Sequence, residues 1–163
     1  MRILALFSAL WLTACSGGYS FTGGNFGEAK TVTIGEFPNF ADIINPNLSL
    51  VFSESLRNIF LRETPLRVVP NGGDITYEGT ITGYTIVAAS PTANQQTAQS
   101  NLTITVNVVY HNETNPDDDF ERKFSRSLPF DADQDFATIE GTLSAEICRL
   151  LAEDILNGSV MNW

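Results

Sequence analysis

The chain holds one histidine, two cysteines and nine lysines and arginines, against nineteen aspartates and glutamates, in 163 residues. So little histidine and cysteine removes most nucleophilic chemistry. A Ser-His or Cys-His arrangement would have to be built on His111, which lies in a predicted turn and reads as a solvated hydrogen-bonding residue. Cys148 stands between Ile147 and Arg149 in a helical pattern, as a small buried apolar residue does. Positive charge is also scarce: a formal charge of −10 argues against whole-molecule attraction to nucleic acid or an anionic lipid surface. An anionic ligand would need a local basic cluster. Long hydrophobic runs are absent too: the stretch Ile3 to Leu12 is about half of the ~20 residues that cross a bilayer as a helix.

That short stretch has another use. Arg2 gives a positive start, Ile3 to Leu12 an apolar segment, and Thr13 and Ala14 the small residues a signal peptidase needs. Leu12-Thr13-Ala14-Cys15 resembles the lipobox of bacterial lipoproteins, which implies lipidation of Cys15 and removal of residues 1–14. Two or three acyl chains on one residue give a firm tether, since each buried methylene contributes ~0.8 kcal/mol. With Cys15 acylated, Cys148 has no partner within the chain and no disulfide is expected. Residues 15–28 then form a Gly- and Ser-rich tether whose Tyr19, Phe21 and Phe26 are expected to dock on the domain, and residues 29–163 form a single domain.

Within that domain, Ala29 to Phe37 alternates Val32 and Ile34 as a strand does. Asn45-Pro46 suggests a helix cap followed by proline at the first helical position, and apolar residues recur at helical spacing from Leu48 to Phe60, up to a stop before Pro65. LRVVP (residues 66–70) reads as a short strand, and the turn chemistry of NGGD predicts an antiparallel hairpin with the long strand from Ile75 to Ala89. On that long strand Ile75, Tyr77, Gly79, Ile81, Gly83 and Thr85 are expected on one face, with the two glycines marking a bulge or a close approach. Leu102, Ile104, Val106 and Val108 alternate in the next strand, HNETNPDDD turns it back into FERKFSRSLPF, and a second amphipathic helix runs from Phe136 to about Asn157. The expected class is α+β: two helices on one face of a mostly antiparallel sheet of four or five strands, in the order β-α-β-β-β-β-α.

A lipobox followed by GYSFTGG, then AKTVTIGEFPN, INPNLSLVFSESLRNIF, EGTITGYT, NLTITVNVVYHN, the FSR arm and an acidic C-terminal helix resembles the LPS-assembly lipoprotein (LptE-like) family in its Bacteroidota form. The likeness covers essentially everything after Cys15. It implies a non-enzymatic lipoprotein on the periplasmic face of the outer membrane, which partners and partly plugs the LptD-like β-barrel that inserts lipopolysaccharide. It also implies a contact with lipopolysaccharide itself. A different reading of the same residues is a periplasmic lipoprotein that binds a small apolar ligand or an envelope polymer on its sheet face.

For such a contact the basic residues Arg122, Lys123 and Arg126 are the candidates. Strand alternation places Arg122 and Arg126 on one face and Lys123 on the other, and arginine binds phosphate or carboxylate bidentately. The competing reading is that these charges guard an edge strand and pair with Asp117 to Glu121 across the turn. Asp131, Asp133 and Asp135 lack the glycine and closing glutamate of a calcium loop, and read as a solvated segment before the last helix. No cofactor and no metal are expected, and the glycine pairs lack phosphate-binding spacing.

Overall fold

The computed structural model describes residues 26–43, 45–88 and 98–160. Five strands and two helices follow the expected order: β1 (Thr31–Ile34), α1 (Leu48–Glu63), β2 (Arg67–Val69), β3 (Ile75–Ala88), β4 (Gln99–Asn112), β5 (Phe120–Asp131) and α2 (Phe136–Val160). The strands form one mixed sheet in the order β2-β1-β3-β4-β5. Both helices pack on the face that carries Val32, Ile81, Ile104 and Val106.

The α+β class and the antiparallel pairing of β4 with β5 agree with the sequence pattern, and the structure adds a second long antiparallel pairing, β3 with β4. The expected β2–β3 hairpin does not form. β1 lies between those strands and pairs in parallel with each, Thr31 opposite Arg67 and Val32 opposite Ile75. The NGGD turn carries the chain across β1 instead, on the face away from the helices. There Gly73 N–H donates to Thr33 Oγ1 at 2.9 Å, and a Cβ on Gly73 would fall 2.7 Å from the Thr33 nitrogen. Gly72 sits at φ +67°, in the left-handed region that favours glycine. Gly72 and Gly73 are turn residues, as the NGGD sequence predicts. Turn chemistry fixes the local bend, however, and the intervening strand decides the pairing.

α1 begins two residues later than Asn45-Pro46 suggests, with Asn47 at the cap position. Asn45 closes its own turn, its Oδ1 accepting from Asn47 N–H at 3.0 Å. The helix ends where Pro65 forces Thr64 into extended geometry, and Thr64 N–H and hydroxyl both donate to the Phe60 carbonyl. α2 runs three residues past Asn157 through Gly158, whose missing side chain lets the Phe124 ring approach to 3.2 Å of where a Cβ would stand.

On β3 the two glycines have separate causes. A Cβ on Gly79 would overlap the Asn107 carbonyl oxygen and come 3.0 Å from the Phe37 ring. Beside Gly83 the register slips between Ile81 and Gly83, and this bulge reverses the strand's phase. Tyr84, rather than Gly83 and Thr85, therefore turns into the core. A file of rings crosses the core below: Phe60 lies 4.8 Å from Tyr77, Tyr77 5.0 Å from Tyr110, and Tyr110 5.0 Å from Phe120. Phe26 joins it against Phe60 at 6.5 Å, so this part of the tether does dock. Tyr19, Phe21 and the lipidation candidate Cys15 lie outside the described residues.

Candidate functional site

The basic residues of β5 lie on the outermost strand of the sheet, opposite β2. Register places Arg122 beside Val108 and Arg126 beside Ile104, on the helix side, whereas Lys123 faces away beside Asn107. The expected division of faces therefore holds. The expected pairing with Asp117 to Glu121 does not hold for Arg126, which forms a two-pronged ion pair with Asp154 of α2, Nη2 to Oδ1 at 2.5 Å with Nε on the other oxygen. The hydrogen bond and charge of Asp154 raise the Arg126 pKa above its ordinary value. Arg126 thus pins the edge strand to α2, and its guanidinium fork is already filled by a carboxylate. Within Asp117–Glu121 the structure pairs Asp119 with His111, and Glu121 accepts from Asn107 at 2.6 Å.

The guanidinium carbon of Arg122 stands 5.0 Å from the Phe120 ring centroid, a cation–π contact that closes the file of rings. Arg122 and Lys123 are exposed and make no ion pair among the described residues, so they are the groups of the arm that remain open to an anion.

The open sheet face is lined by hydroxyls and amides. Thr103 and Ser127 are joined at 3.0 Å, as are Thr105 and Ser125. An apolar ligand would find few apolar side chains there. The large exposed apolar side chains are elsewhere: Leu50 and Leu61 (61% and 57% exposed) border a cleft beside β1 and β2, whereas Phe40, Ile86 and Val87 (72%, 40% and 59%) belong to the far half of β3 and the loop that meets it. Periodicity does not single these residues out, because Phe40, Leu50 and Ile86 continue segments that also supply core residues (Ala41, Leu48, Tyr84); the signal on β3 is the run Ile86-Val87-Ala88 beyond its last buried residue.

His111 and Asp135 have structural partners, and Cys148 lies in the core. His111 is at the end of β4 rather than in a turn; its Nδ1 meets Asp119 Oδ2 while Asp119 Oδ1 accepts from Asn112 N–H at 2.7 Å. Cys148 is fully buried, and burial pushes its thiol pKa up to about 12. Asp135 caps α2, its Oδ1 accepting from Ala137 N–H at 3.2 Å. Among the described residues no group of three or more His, Cys, Asp and Glu is placed to hold a metal ion.

The fold recurs in solved structures of low sequence identity. A minor lipoprotein from Acinetobacter baumannii superposes with a TM-score of 0.51 at 13% identity, covering 80% of this chain and 93% of its own. The hypothetical protein CT253 from Chlamydia trachomatis gives 0.52 at 11% identity, covering 82% and 99%. The uncharacterized lipoprotein B from Nitrosomonas europaea gives 0.49 at 16% identity, covering 81% and 83%. No curated protein sequence matches the chain. Residues 29–158 match the family described as LptE, lipopolysaccharide-assembly, which is a non-enzymatic family of envelope lipoproteins. Over that span, which takes in every strand and nearly all of α2, the chain belongs to the LptE family and has a role in lipopolysaccharide assembly.

Proposed function

We propose that this protein is an outer-membrane lipoprotein, held by acyl chains on Cys15, that partners and partly plugs the β-barrel through which lipopolysaccharide reaches the cell surface. The observation that carries the reading is the family match over residues 29–158. The hydroxyl- and amide-lined sheet face supports it, because the interior of a large outer-membrane barrel is itself polar and wet. The tether agrees as well: Phe26 docks against Phe60, leaving a short segment between the domain and Cys15. On this reading Arg122 and Lys123 meet phosphate or carboxylate of the lipopolysaccharide headgroup, and Arg126 serves the fold through Asp154.

The test is purification of the full-length acylated protein from detergent-solubilised membranes. The reading expects a large β-barrel in near-equal amount, and expects Cys15→Ala to lose both palmitate labelling and membrane retention. A wild-type protein that is unlabelled, or that comes away from the membrane without a barrel, would overturn it.

A further inference from the structure

Among the described residues, the upper half of β3 has one backbone edge with no partner strand. β1 pairs with β3 only at Ile75 to Tyr77, and the loop that follows β1 adds one last contact, Phe40 N–H donating to the Ile81 carbonyl at 2.9 Å and Ile81 N–H to Pro38 at 2.9 Å. Beyond Ile81 no described residue pairs with that side of the strand. The direction of each backbone group follows from those bonds. Ile81 points away from β4, and ladder bonds alternate along an antiparallel pair. With the bulge at Thr82, Gly83 and Thr85 turn to Thr105 and Thr103 of β4, and Tyr84, Ile86 and Ala88 turn their N–H and C=O groups outward.

This edge lacks the devices that keep the other two from pairing. β5 carries Arg122, Lys123, Arg126 and Pro129, and β2 is three residues long. The segment Thr82 to Ala88, TGYTIVA, has neither charge nor proline, and Ile86 and Val87 are exposed on it beside Phe40 at its start. A row of alternating donors and acceptors is satisfied by another extended polypeptide and not by an acyl chain or a sugar. Charge decides which polypeptide. Asp42, Asp131, Asp133, Asp135 and Glu140 belong to the segments at this end of the fold, and among the described residues the nearest lysine or arginine along α1 is Arg57. Two copies would bring like charges together, so the occupant is a different chain.

We infer that the free edge of β3 from Tyr84 to Ala88 adds a strand from a second, non-identical protein, an extended segment apolar at alternate positions and flanked by basic residues. This rests on the barrel reading above and assigns the strand to that barrel.

The test uses the acylated full-length protein, free in detergent and in its purified complex with the barrel. Hydrogen exchange should slow at least tenfold at the amides of Tyr84 and Ile86 in the complex, while Gly83 and Thr85, already bonded to β4, change little. Ile86→Pro removes an outward donor without touching the β3–β4 ladder, and should lower the recovered barrel at least tenfold; Ile86→Ala, which keeps the donor, should lower it far less. Raised salt should weaken the complex. If the barrel co-purifies but Tyr84 and Ile86 exchange as fast as in the free protein, or Ile86→Pro retains it fully, the strand addition is wrong and the barrel reading stands. If the wild type brings no barrel, both fall.

Discussion

The hydroxyl of Tyr77, at the centre of the sheet, donates to Ser159 Oγ at the end of α2 across 2.6 Å, joining residues 82 positions apart. Ser159 in turn donates to the carbonyls of Ile155 and Leu156, so the last turn of the helix is tied to the sheet through one buried chain of hydrogen bonds. Tyr77 also stands between Phe60 and Tyr110, which makes it the point where both helices and three strands meet.

Tyr77→Phe should therefore cost about 1 kcal/mol, the usual net value of one hydrogen bond, whereas Tyr77→Ala should cost about 3–5 kcal/mol through loss of a fully buried ring. Urea unfolding followed by fluorescence measures both. Equal effects would mean that the ring does not carry the packing.

Burial raises the Tyr77 pKa well above its ordinary value of 10.0, and pushes Tyr84 and Tyr110 up to about 12. Above pH 10 the unfolded chain has lost protons that the folded chain keeps, so stability falls as pH rises from about 10 toward 12. Tyr77→Phe should flatten this alkaline loss in a pH series of urea midpoints.

At acid pH the sign reverses. Asp74 Oδ2 accepts from Lys30 N–H at 2.9 Å and from the backbone and hydroxyl of Thr31, and these bonds, the Lys30 amide foremost, hold its pKa below the ordinary 3.8. The Asn112 amide does the same for Asp119. Their stabilisation is present above pH 3.8 and is lost as pH falls through the lowered folded values. Asp74→Asn should lower Tm at pH 7 and shrink the further drop below pH 4, read by thermal melts. An unchanged acid slope would remove Asp74 as its source.

Two glycine substitutions should move stability in opposite directions. Gly79→Ala forces a methyl into the Asn107 carbonyl and the Phe37 ring and should cost about 1–3 kcal/mol or more. Gly141→Ala adds a methyl to α2 where no atom lies within 4 Å, and should stabilise by about 0.5–1 kcal/mol.

These residues show what the sequence made legible. The α+β class and both helices follow from apolar periodicity, a property of single elements, and the β4–β5 pairing from the short turn HNETNPDDD between two adjacent strands. The position of β1 between β2 and β3 does not, because pairing depends on which strand occupies the space, and NGGD serves a crossing as well as a hairpin. Alternation correctly separated Arg122 and Arg126 from Lys123, yet the partner of Arg126 is 28 positions away on α2, beyond the reach of any local pattern. The exposed apolar end was hidden because Phe40 stands next to the buried Ala41, and Ile86 continues the alternation of a strand whose Tyr84, two residues earlier, is core.

The basic arm gives a residue-level test of ligand contact. Arg122→Glu with Lys123→Glu should weaken lipopolysaccharide binding at least tenfold and in a salt-sensitive way, since exposed charge contacts are screened as ionic strength rises. Arg126→Glu should instead lower Tm, and Asp154→Arg in the same chain should restore part of it. Binding that is indifferent to salt and to the first pair of changes would leave the arm as an edge guard alone.

The central claim, that this lipoprotein serves lipopolysaccharide assembly by partnering the translocating barrel, is tested most directly by depleting it and measuring lipopolysaccharide at the cell surface together with the amount of folded barrel. Both should fall, and both should return with the wild-type chain but not with Cys15→Ala. Normal surface lipopolysaccharide and normal barrel abundance in fully depleted cells would contradict the claim.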